Sequence, residues 1–388
     1  MNKHQSVYVN TIFLLLIFGF TVATLIRPQK ERSETENRVL QQRPELTWDS
    51  LLAGEFADDY EEYLSDQFIL RDSWITLKTA AERAALKQET NDVYFGKDGY
   101  LIEKHTGAFT SGTAGQNIQR LAGFMQMMSE KYDAQHLSCI LVPNAVDVLS
   151  DKLPAFADPY NEEEYLQKVQ ASLPEGVWVD ASQVLKEQHA RGGTDPVYDQ
   201  LYYRTDHHWK TGSAYLVFRK WLEQKQIGVS SEEQYQVTQV TDSFEGTIAS
   251  RLGIQGEPDS IERFDPAVPF DYYLIYNQSD DIRNSIYRDS CLDTKDKYAY
   301  FYGGNYGLVE AKMPDAATGR RLLIIKDSYA HCFAPFTYRY FDEVDMLDPR
   351  YYNDSIAQLM ESKDYTDVLF LFNAAGFAEE SAIARLLA

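Results

Sequence analysis

Three polar positions carry side chains that together can activate a hydroxyl group as a nucleophile. Asp206 and His208 lie two residues apart in the run TDHHW, residues 205–209, and Ser328 follows an apolar run that ends at Ile325. A serine hydroxyl becomes a strong nucleophile when an imidazole accepts its proton, and the imidazole needs a carboxylate that fixes its tautomer. The combination predicts Ser328 as nucleophile, His208 as general base and Asp206 as the orienting carboxylate.

The same residues have other interpretations, which the local sequence leaves open. Asp327 or Ser328 would also suit the N-cap of a following helix, and His208 would also suit a buried structural position. Asp-His-His runs occur in phosphoesterase metal sites, where His207 and His208 would both be ligands of a metal-dependent hydrolase. Such sites need several further carboxylates near strand ends, and no such set is obvious in the sequence. We therefore expect no metal.

Two further groups are candidates for stabilising negative charge on a substrate oxygen. Asn373 ends the apolar run 366–373, where its side-chain amide can donate to an oxyanion, although it equally suits a turn before Ala-Ala-Gly. The backbone N–H of Ser328 can donate in the same way, as in a nucleophile elbow that lacks the usual glycines. His207, next to the predicted base, is a third candidate for substrate contact.

The positions fall in a pattern of apolar runs that alternate with helical periodicity, which predicts an α/β fold. Strand-like runs are residues 136–143, 177–180, 321–326, 340–348 and 366–373, and helical patterns cover 115–130, 162–172, 182–190, 210–226 and 354–362. Such alternation predicts a mainly parallel sheet with right-handed crossovers. Ligands bind beyond the carboxyl ends of parallel strands. We therefore expect the TDHHW run, Ser328 and Asn373 to meet there.

The remaining segments predict the domain organisation. Residues 28–54 lack periodicity and suit an extended stalk, whereas 55–88 have a helical pattern. Residues 227–318 carry aromatic β-like runs and are predicted to be a β-rich insertion. The predicted domains are an anchor at 1–27, a stalk with N-terminal helices at 28–88, and a catalytic domain at 89–388 that contains the insertion.

The N-terminal segment predicts a membrane anchor. Residues 7–26 carry no charge, and about 20 apolar residues are needed to cross a bilayer. A cleaved signal peptide is the alternative, because Thr21 and Ala23 form a small pair that suits a cleavage site. Since the apolar run continues to Ile26, we expect an uncleaved single-pass anchor in the cell membrane. The large polar domain then lies outside the cytoplasm.

Charge and cysteine usage exclude several classes of function. The chain carries 37 basic and 59 acidic residues, a formal net charge of −22, so a partner bound through phosphates, such as nucleic acid, is not expected. The three cysteines, Cys139, Cys291 and Cys332, form no C-x-x-C pair and cannot all pair with one another. A disulfide framework and a thiolate zinc site are therefore not predicted.

The order of the motifs resembles the DHHW proteins of Gram-positive bacteria, which are similar to alginate O-acetyltransferases of the AlgX/AlgJ type in the SGNH-hydrolase superfamily. The resemblance covers most of residues 33–388. It is carried by SETENRVLQQRP (33–44), DDYEEYLSDQFILRD (58–72), YFGKDGYLI (94–102), LVPNAVDVLSDKLP (141–154), RTDHHWKTGSAY (204–215), IIKDSYAHCF (324–333) and the terminal LFLFN.

This resemblance implies a circularly permuted SGNH-like domain, because the Asp-His element precedes the serine. It implies a three-layer α/β/α fold in which Ser328 is the nucleophile, His208 the base and Asp206 its carboxylate. Asn373 would match the oxyanion asparagine, although the family's Gly-x-Asn-Asp pattern is replaced by Phe372-Asn373-Ala374. The resemblance implies no cofactor, because a multi-spanning membrane-bound O-acyltransferase delivers the acyl group.

The resulting prediction is a membrane-anchored extracytoplasmic O-acetyltransferase or esterase that acts on a cell-surface or secreted polysaccharide. An acyl-serine forms, and a sugar hydroxyl resolves it. If water resolves it, the same residues make a carbohydrate deacetylase. The alternative is a binding protein: a polysaccharide-binding scaffold of the acetylation machinery with weak or no catalytic activity. The segment 227–318 is the predicted place for acceptor specificity.

Overall fold

The computed structural model describes residues 3–33, 38–230 and 234–387. Residues 34–37 and 231–233, which belong to the predicted stalk and the predicted insertion, lie outside the described residues, as do 1–2 and 388. The chain forms two compact units, and each is described by itself. The first contains Met1–Lys87 and Ser250–Gln255, and the second contains Gln88–Ala249 and Gly256–Ala388.

The first unit consists mainly of helices. Its elements are α1 (Lys3–Ile26), β1 (Arg32–Ser33), β2 (Arg38–Val39), α2 (Trp48–Ala53), α3 (Glu55–Asp66) and α4 (Arg71–Ala84). The predicted extended stalk is therefore helical from Trp48. The reason is local, because Thr47 and Ser50 form a capping box that satisfies the first free N–H groups of α2.

Helix α1 contains a segment that is long and apolar enough to cross a membrane. Val7–Ile26 has 20 residues with a mean hydropathy of 2.3, and 6% of its most apolar stretch is buried. A signal sequence has the same properties near an N-terminus. The structure thus contains the predicted apolar helix.

The second unit has a mixed α/β fold. In chain order its elements are β3 (Glu89–Thr90), β4 (Val93–Phe95), β5 (Leu101–Glu103), α5 (Thr106–Thr110), α6 (Gly112–Ser129), β6 (Leu137–Val142), α7 (Ala145–Val148), α8 (Glu162–Ser172), α9 (Ala181–Arg191), α10 (Thr211–Gln224), β7 (Tyr235–Phe244), α11 (Thr247–Leu252), β8 (Asp259–Pro266), β9 (Tyr273–Tyr276), β10 (Ile282–Arg283), β11 (Leu308–Lys312), β12 (Arg321–Lys326), α12 (Ala334–Thr337), β13 (Glu343–Leu347), α13 (Ile356–Ser362), β14 (Asp367–Asn373) and α14 (Ala374–Glu379).

Seven strands form the central sheet, in the order β10-β9-β11-β13-β12-β14-β6. The strands β13, β12, β14 and β6 are parallel, as the sequence predicts. The strands β9, β10 and β11 are antiparallel and extend one edge of this sheet. The range 227–318 is therefore not a separate insertion, because three of its strands belong to the central sheet. Residues 177–180, predicted as a strand, form one isolated bridge between Trp178 and Cys139.

Apolar side chains cover both faces of the sheet. Along β12, Leu322 and Ile324 belong to one buried cluster, whereas Leu323 and Ile325 belong to the other. This alternation follows from the two-residue period of a strand. Helix α10 contributes to the first cluster, and helices α6, α8, α13 and α14 contribute to the second. Burial on both faces fixes the register of the strands, and so fixes where their carboxyl ends lie.

Candidate active site

The end of β12 positions the predicted nucleophile. The strand ends at Lys326, and a 3-10 turn covers Ser328–Cys332 instead of the predicted start of an α-helix. Asp327 is the N-cap, and its carboxylate accepts hydrogen bonds from the backbone N–H groups of Tyr329 at 2.9 Å and Asn373 at 2.8 Å. Because Asp327 caps the turn, the hydroxyl of Ser328 is free to bond elsewhere.

The loop that contains TDHHW holds Asp206 in a fixed orientation. Its Oδ1 accepts a hydrogen bond from the backbone N–H of His208 at 3.0 Å. Its Oδ2 accepts two from Thr247, at 2.8 Å from the backbone N–H and at 3.0 Å from the hydroxyl. The carboxylate is buried, with 3% of the residue exposed. These donors leave Oδ1 directed at the imidazole of His208.

The structure brings Asp206, His208 and Ser328 into one hydrogen-bonded chain. The Nδ1 of His208 lies 2.5 Å from Oδ1 of Asp206, and its Nε2 lies 2.8 Å from Oγ of Ser328. A carboxylate can only accept, so Nδ1 carries the proton and Nε2 accepts from the serine hydroxyl. His208 is buried, whereas Ser328 is partly exposed and can be reached by a substrate.

The electrostatic environment keeps the imidazole neutral and the carboxylate charged. Burial and the adjacent charge of His207 lower the pKa of His208 to about 4, although Asp206 acts in the opposite direction. Burial alone would raise the pKa of Asp206, but both histidines and the bonds from His208 and Thr247 hold it well below its usual range. At neutral pH the pair is therefore a neutral base beside an ionised carboxylate, which is the state that proton transfer from Ser328 requires.

The pKa of His208 predicts an acid limb in the pH profile. We expect kcat/KM for an aryl acetate to be full above pH 5 and to fall as the pH drops through about 4, where His208 gains a proton. A Tyr298→Ala variant, which admits water to the imidazole, is expected to move this limb towards 6.5.

The native state also loses stability as the pH falls from 6.5 to 4, because His208 of the unfolded chain binds the proton more strongly than His208 of the folded chain. Circular dichroism at each pH controls for this loss, and a wild-type limb near 6.5 would contradict the prediction.

Aromatic side chains to which the sequence assigns no role surround His208. The ring of Tyr298 stacks on His208 with centroids 3.7 Å apart and planes 13° apart. The indole N–H of Trp209 donates to the carbonyl oxygen of Tyr329 at 2.9 Å, which ties the TDHHW loop to the turn after Ser328. Tyr298 lies in a run predicted as β, yet residues 297–300 form a 3-10 turn. The contact of Tyr298 with His208 depends on the tertiary fold, and the local sequence does not indicate it.

Asn373 acts as a helix cap in the structure. Its Oδ1 accepts hydrogen bonds from the backbone N–H of Gly376 at 3.0 Å and from Nδ2 of Asn144 at 3.1 Å. Its own Nδ2 is buried and has no hydrogen-bond partner within residues 3–33, 38–230 and 234–387. The backbone N–H of Asn373 bonds to Asp327, the residue before Ser328. That Asn373 donates to an oxyanion stays a prediction, and Nδ2 is the atom that would do so.

A buried charge network fixes the turn that follows β12. Lys326 donates to Oδ2 of Asp348 at 3.1 Å and lies 2.9 Å from Nε2 of His331. Arg350 donates to both oxygens of Asp348, at 2.8 and 2.7 Å. Burial and the charge of Lys326 hold the pKa of His331 well below its ordinary value, so this imidazole accepts from the lysine. The network spans both ends of the Ser328–Cys332 turn.

His207 lies at the exposed side of the site. Its side chain is 37% exposed, and its Nδ1 lies 2.9 Å from the hydroxyl of Thr247 and 3.7 Å from Oδ1 of Asp206. Ligand atoms of Asp206, His207 and His208 lie close enough together to hold a metal ion. However, Asp206 already accepts bonds from His208 and Thr247 at both oxygens. The donor set fits a triad better than a metal centre, and the expected lack of a metal stays a prediction.

Comparisons with known proteins show which solved structures share this fold. A crystal structure of a DHHW family protein from Eubacterium siraeum superposes with a TM-score of 0.59 at 21% identity, covering 76% of this chain and 95% of that one. Bacillus cereus PatB1, solved with a sulfonyl adduct, gives a TM-score of 0.59 at 19% identity and covers 74% of this chain and 98% of that one. These likenesses show a shared fold.

The O-acetyltransferase domain of Pseudomonas putida AlgJ is more distant, with a TM-score of 0.45 and 12% identity over 76% of this chain and 98% of that one. No curated protein matches the chain. Residues 195–347 match the family described as DHHW protein, and this range contains Asp206, His208 and Ser328. The resemblance to DHHW proteins that the sequence predicts is thus confirmed over residues 195–347.

Proposed function

We propose that this protein is an extracytoplasmic O-acetyltransferase of the SGNH type, anchored in the cell membrane by residues 7–26. The observation that carries the proposal is the chain of bonds from Asp206 through His208 to Ser328, with distances of 2.5 and 2.8 Å. The sheet with a buried cluster on each face supports the three-layer α/β/α arrangement. The anchor at 1–27, the N-terminal region at 28–88 and the catalytic domain at 89–388 remain part of this proposal, with residues 227–318 contributing strands to the central sheet.

The first half-reaction would form an acyl-enzyme. Oγ of Ser328 attacks the carbonyl carbon of the donor ester while Nε2 of His208 takes the hydroxyl proton. The negative charge that develops on the carbonyl oxygen is stabilised by the backbone N–H of Ser328 and Nδ2 of Asn373. The tetrahedral intermediate collapses, the ester C–O bond breaks, and the imidazolium returns the proton to the departing alkoxide. Asp206 stabilises the imidazolium throughout.

The second half-reaction would transfer the acyl group to a sugar hydroxyl. His208 takes the proton of the acceptor hydroxyl, whose oxygen attacks the acyl-serine carbonyl. Collapse breaks the bond to Oγ of Ser328, and His208 gives its proton back to Oγ. A multi-spanning membrane-bound O-acyltransferase would supply the donor. The chemistry needs no cofactor, because every proton that moves is held by His208.

A cavity of about 380 Å³, whose lining does not include Asp206, His208 or Ser328, is the candidate binding site for a carbohydrate acceptor. It includes Cys332, four residues after Ser328, and is lined by many aromatic rings, among them Tyr272, Tyr287 and Phe336. Aromatic side chains offer an apolar face with a polar edge, which suits the mixed surface of a sugar. Most of the lining comes from residues 235–301, within the range in which acceptor specificity is predicted.

Trapping the acyl-enzyme and following its fate tests the proposal. We expect a fluorophosphonate probe to label the protein at Ser328 alone, and an aryl acetate to leave one acetyl group on the same residue, both detected by peptide mass spectrometry. Adding a neutral polysaccharide should speed the loss of that acetyl group and leave acetate esters on the glycan. Release as free acetate alone would favour a deacetylase, and an unlabelled Ser328 in folded protein would favour the scaffold alternative.

A further inference from the structure

The end of α1 packs against a group of apolar side chains in the first unit. The ring of Phe20 lies 5.6 Å from Trp74, in an edge-to-face arrangement, and 6.2 Å from Phe68, measured between centroids. The hydroxyl of Thr24 accepts a hydrogen bond from the backbone N–H of Ile69 at 3.3 Å. Along residues 7–26, the partly buried positions are Phe20, Ala23 and Thr24, which share one face of the helix.

Apolar side chains in and beside this group are also exposed to solvent. Phe68, Leu70, Trp74 and Leu77, which we name the apolar collar, are 38%, 56%, 42% and 58% exposed. Trp74 and Leu77 lie three residues apart on one face of α4, and Leu70 is the N-cap residue that precedes this helix. Exposed apolar side chains that are grouped in this way are typical of interaction sites.

The contacts with α1 determine the depth of the collar relative to the apolar segment. Val7–Ile26 has 20 residues, which at 1.5 Å per residue is about the thickness of a bilayer core. Phe20 lies six residues before Ile26, so it lies about 9 Å inside the outer end of that segment. Side chains that contact Phe20 must then enter the outer part of the acyl-chain layer, within the roughly 5–10 Å to which interfacial elements bury their apolar faces below the headgroup boundary.

We propose that the apolar collar is a second membrane-contacting element, seated in the interfacial layer of the same bilayer that α1 crosses. This inference rests on the membrane anchoring proposed above. It explains why Trp74, an amphipathic ring suited to this layer, is exposed beside aliphatic side chains. It also favours an uncleaved anchor, because cleavage after Ala23 would separate Phe20 from the collar.

Charged residues beside the collar suit lipid headgroups. The adjoining cavity is lined by Arg27, Lys30, Arg32 and Arg71 together with Glu31, Asp66 and Asp72. This mixture of charges fits a zwitterionic headgroup as well as an anionic one. The occupant proposed is therefore the bilayer surface itself, and the collar is expected to insert with either lipid type.

Spin-label depth measurements on the full chain in vesicles test the proposal. Labels are placed at Leu70→Cys and Leu77→Cys, with Cys291→Ser as the background, because burial raises the pKa of both Cys139 and Cys332 and protects them. The matched control is Leu86→Cys, which is 86% exposed but lies beyond the far end of α4. A label at Leu15→Cys, inside the apolar segment, reports whether α1 is inserted.

We expect the ratio of oxygen to nickel-chelate accessibility to be several-fold higher at Leu70 and Leu77 than at Leu86, in phosphatidylcholine vesicles with or without phosphatidylglycerol. Equal ratios at all three sites, with Leu15 in the acyl layer, would overturn the collar and leave the anchor intact. A water-accessible Leu15 would instead overturn the anchor, and the collar with it. Protection that arises only after a multi-spanning partner is added would assign the collar to that protein and overturn the lipid proposal.

Discussion

Replacing Ser328 by alanine is expected to lower kcat/KM for an aryl acetate by about 10³- to 10⁶-fold. The Oγ atom is the only non-hydrogen atom removed, and the hydrogen bond of this hydroxyl to Nε2 of His208 at 2.8 Å is the contact that is lost. Without Oγ no covalent intermediate forms, so the residual rate reflects direct attack by water. The acetyl-enzyme should also disappear from the mass spectrum.

The fold is expected to survive this substitution, because the turn at Ser328 is capped by Asp327 and not by the serine. The matched control is Ser182→Ala, which removes a partly exposed hydroxyl from α9 and should leave the rate unchanged. Thermal unfolding of all three proteins shows whether any rate change reflects stability. Full activity in folded Ser328→Ala would refute the proposed nucleophile.

Residue chemistry and spacing single out Asp206, His208 and Ser328 as a candidate triad, because each belongs to a type with a narrow chemical use, but the local sequence leaves an N-cap, a structural histidine and a metal site as alternatives. Asp206 and His208 lie in one loop, and Ser328 follows an apolar strand, so both motifs are readable from local sequence. Their meeting could also be predicted, since ligands bind at the carboxyl ends of parallel strands. The structure shows this meeting directly, with 2.8 Å between Nε2 of His208 and Oγ of Ser328.

The residues that support the triad could not be predicted in the same way. Thr247 is 41 residues from Asp206 in the chain, and Asn144 is 229 residues from Asn373, yet both pairs are hydrogen bonded. Threonine and asparagine form hydrogen bonds throughout a protein, so their residue type does not indicate a role in this site. Their roles arise from the packing of distant segments, which a single sequence does not encode in any local pattern.

The position of the strands at the edge of the central sheet is also difficult to predict from the sequence. Parallel strands buried on both faces form continuous apolar runs, and β6, β12 and β14 were predicted for that reason. Strand β9 has tyrosines at both ends, and β11 has Glu and Lys among apolar residues, so neither forms the continuous apolar run of a buried parallel strand. The pattern predicts β-structure there but not which sheet it joins, so the sequence supports only the prediction of a β-rich insertion.

Replacing Asp206 by asparagine is expected to lower kcat for the aryl acetate by about 10⁴-fold, as loss of the orienting carboxylate does in serine proteases. The carboxylate accepts four hydrogen bonds, from the backbone N–H and Nδ1 of His208 and from the backbone N–H and hydroxyl of Thr247. An amide offers one oxygen, so its NH₂ group must face either the imidazole or Thr247.

Each orientation of the amide has a distinct consequence. If the NH₂ group donates to Nδ1 of His208, the imidazole carries its proton on Nε2 and can no longer accept one from Ser328. If it faces Thr247, the backbone N–H there loses its acceptor, which costs about 1–3 kcal/mol of stability. In the second case the tautomer is kept, and the rate loss should be small while the free energy of unfolding falls.

Rate and stability measured together therefore separate the role of Asp206 in catalysis from its role in holding the loop. The matched control is Thr247→Val, which removes the hydroxyl donor to Oδ2 and leaves the backbone N–H and the imidazole contact in place. We expect this control to change stability by about 1 kcal/mol and kcat by less than about tenfold. An Asp206→Asn variant with wild-type kcat, folded and equally stable, would show that His208 does not depend on this carboxylate, and the triad would then have to be abandoned.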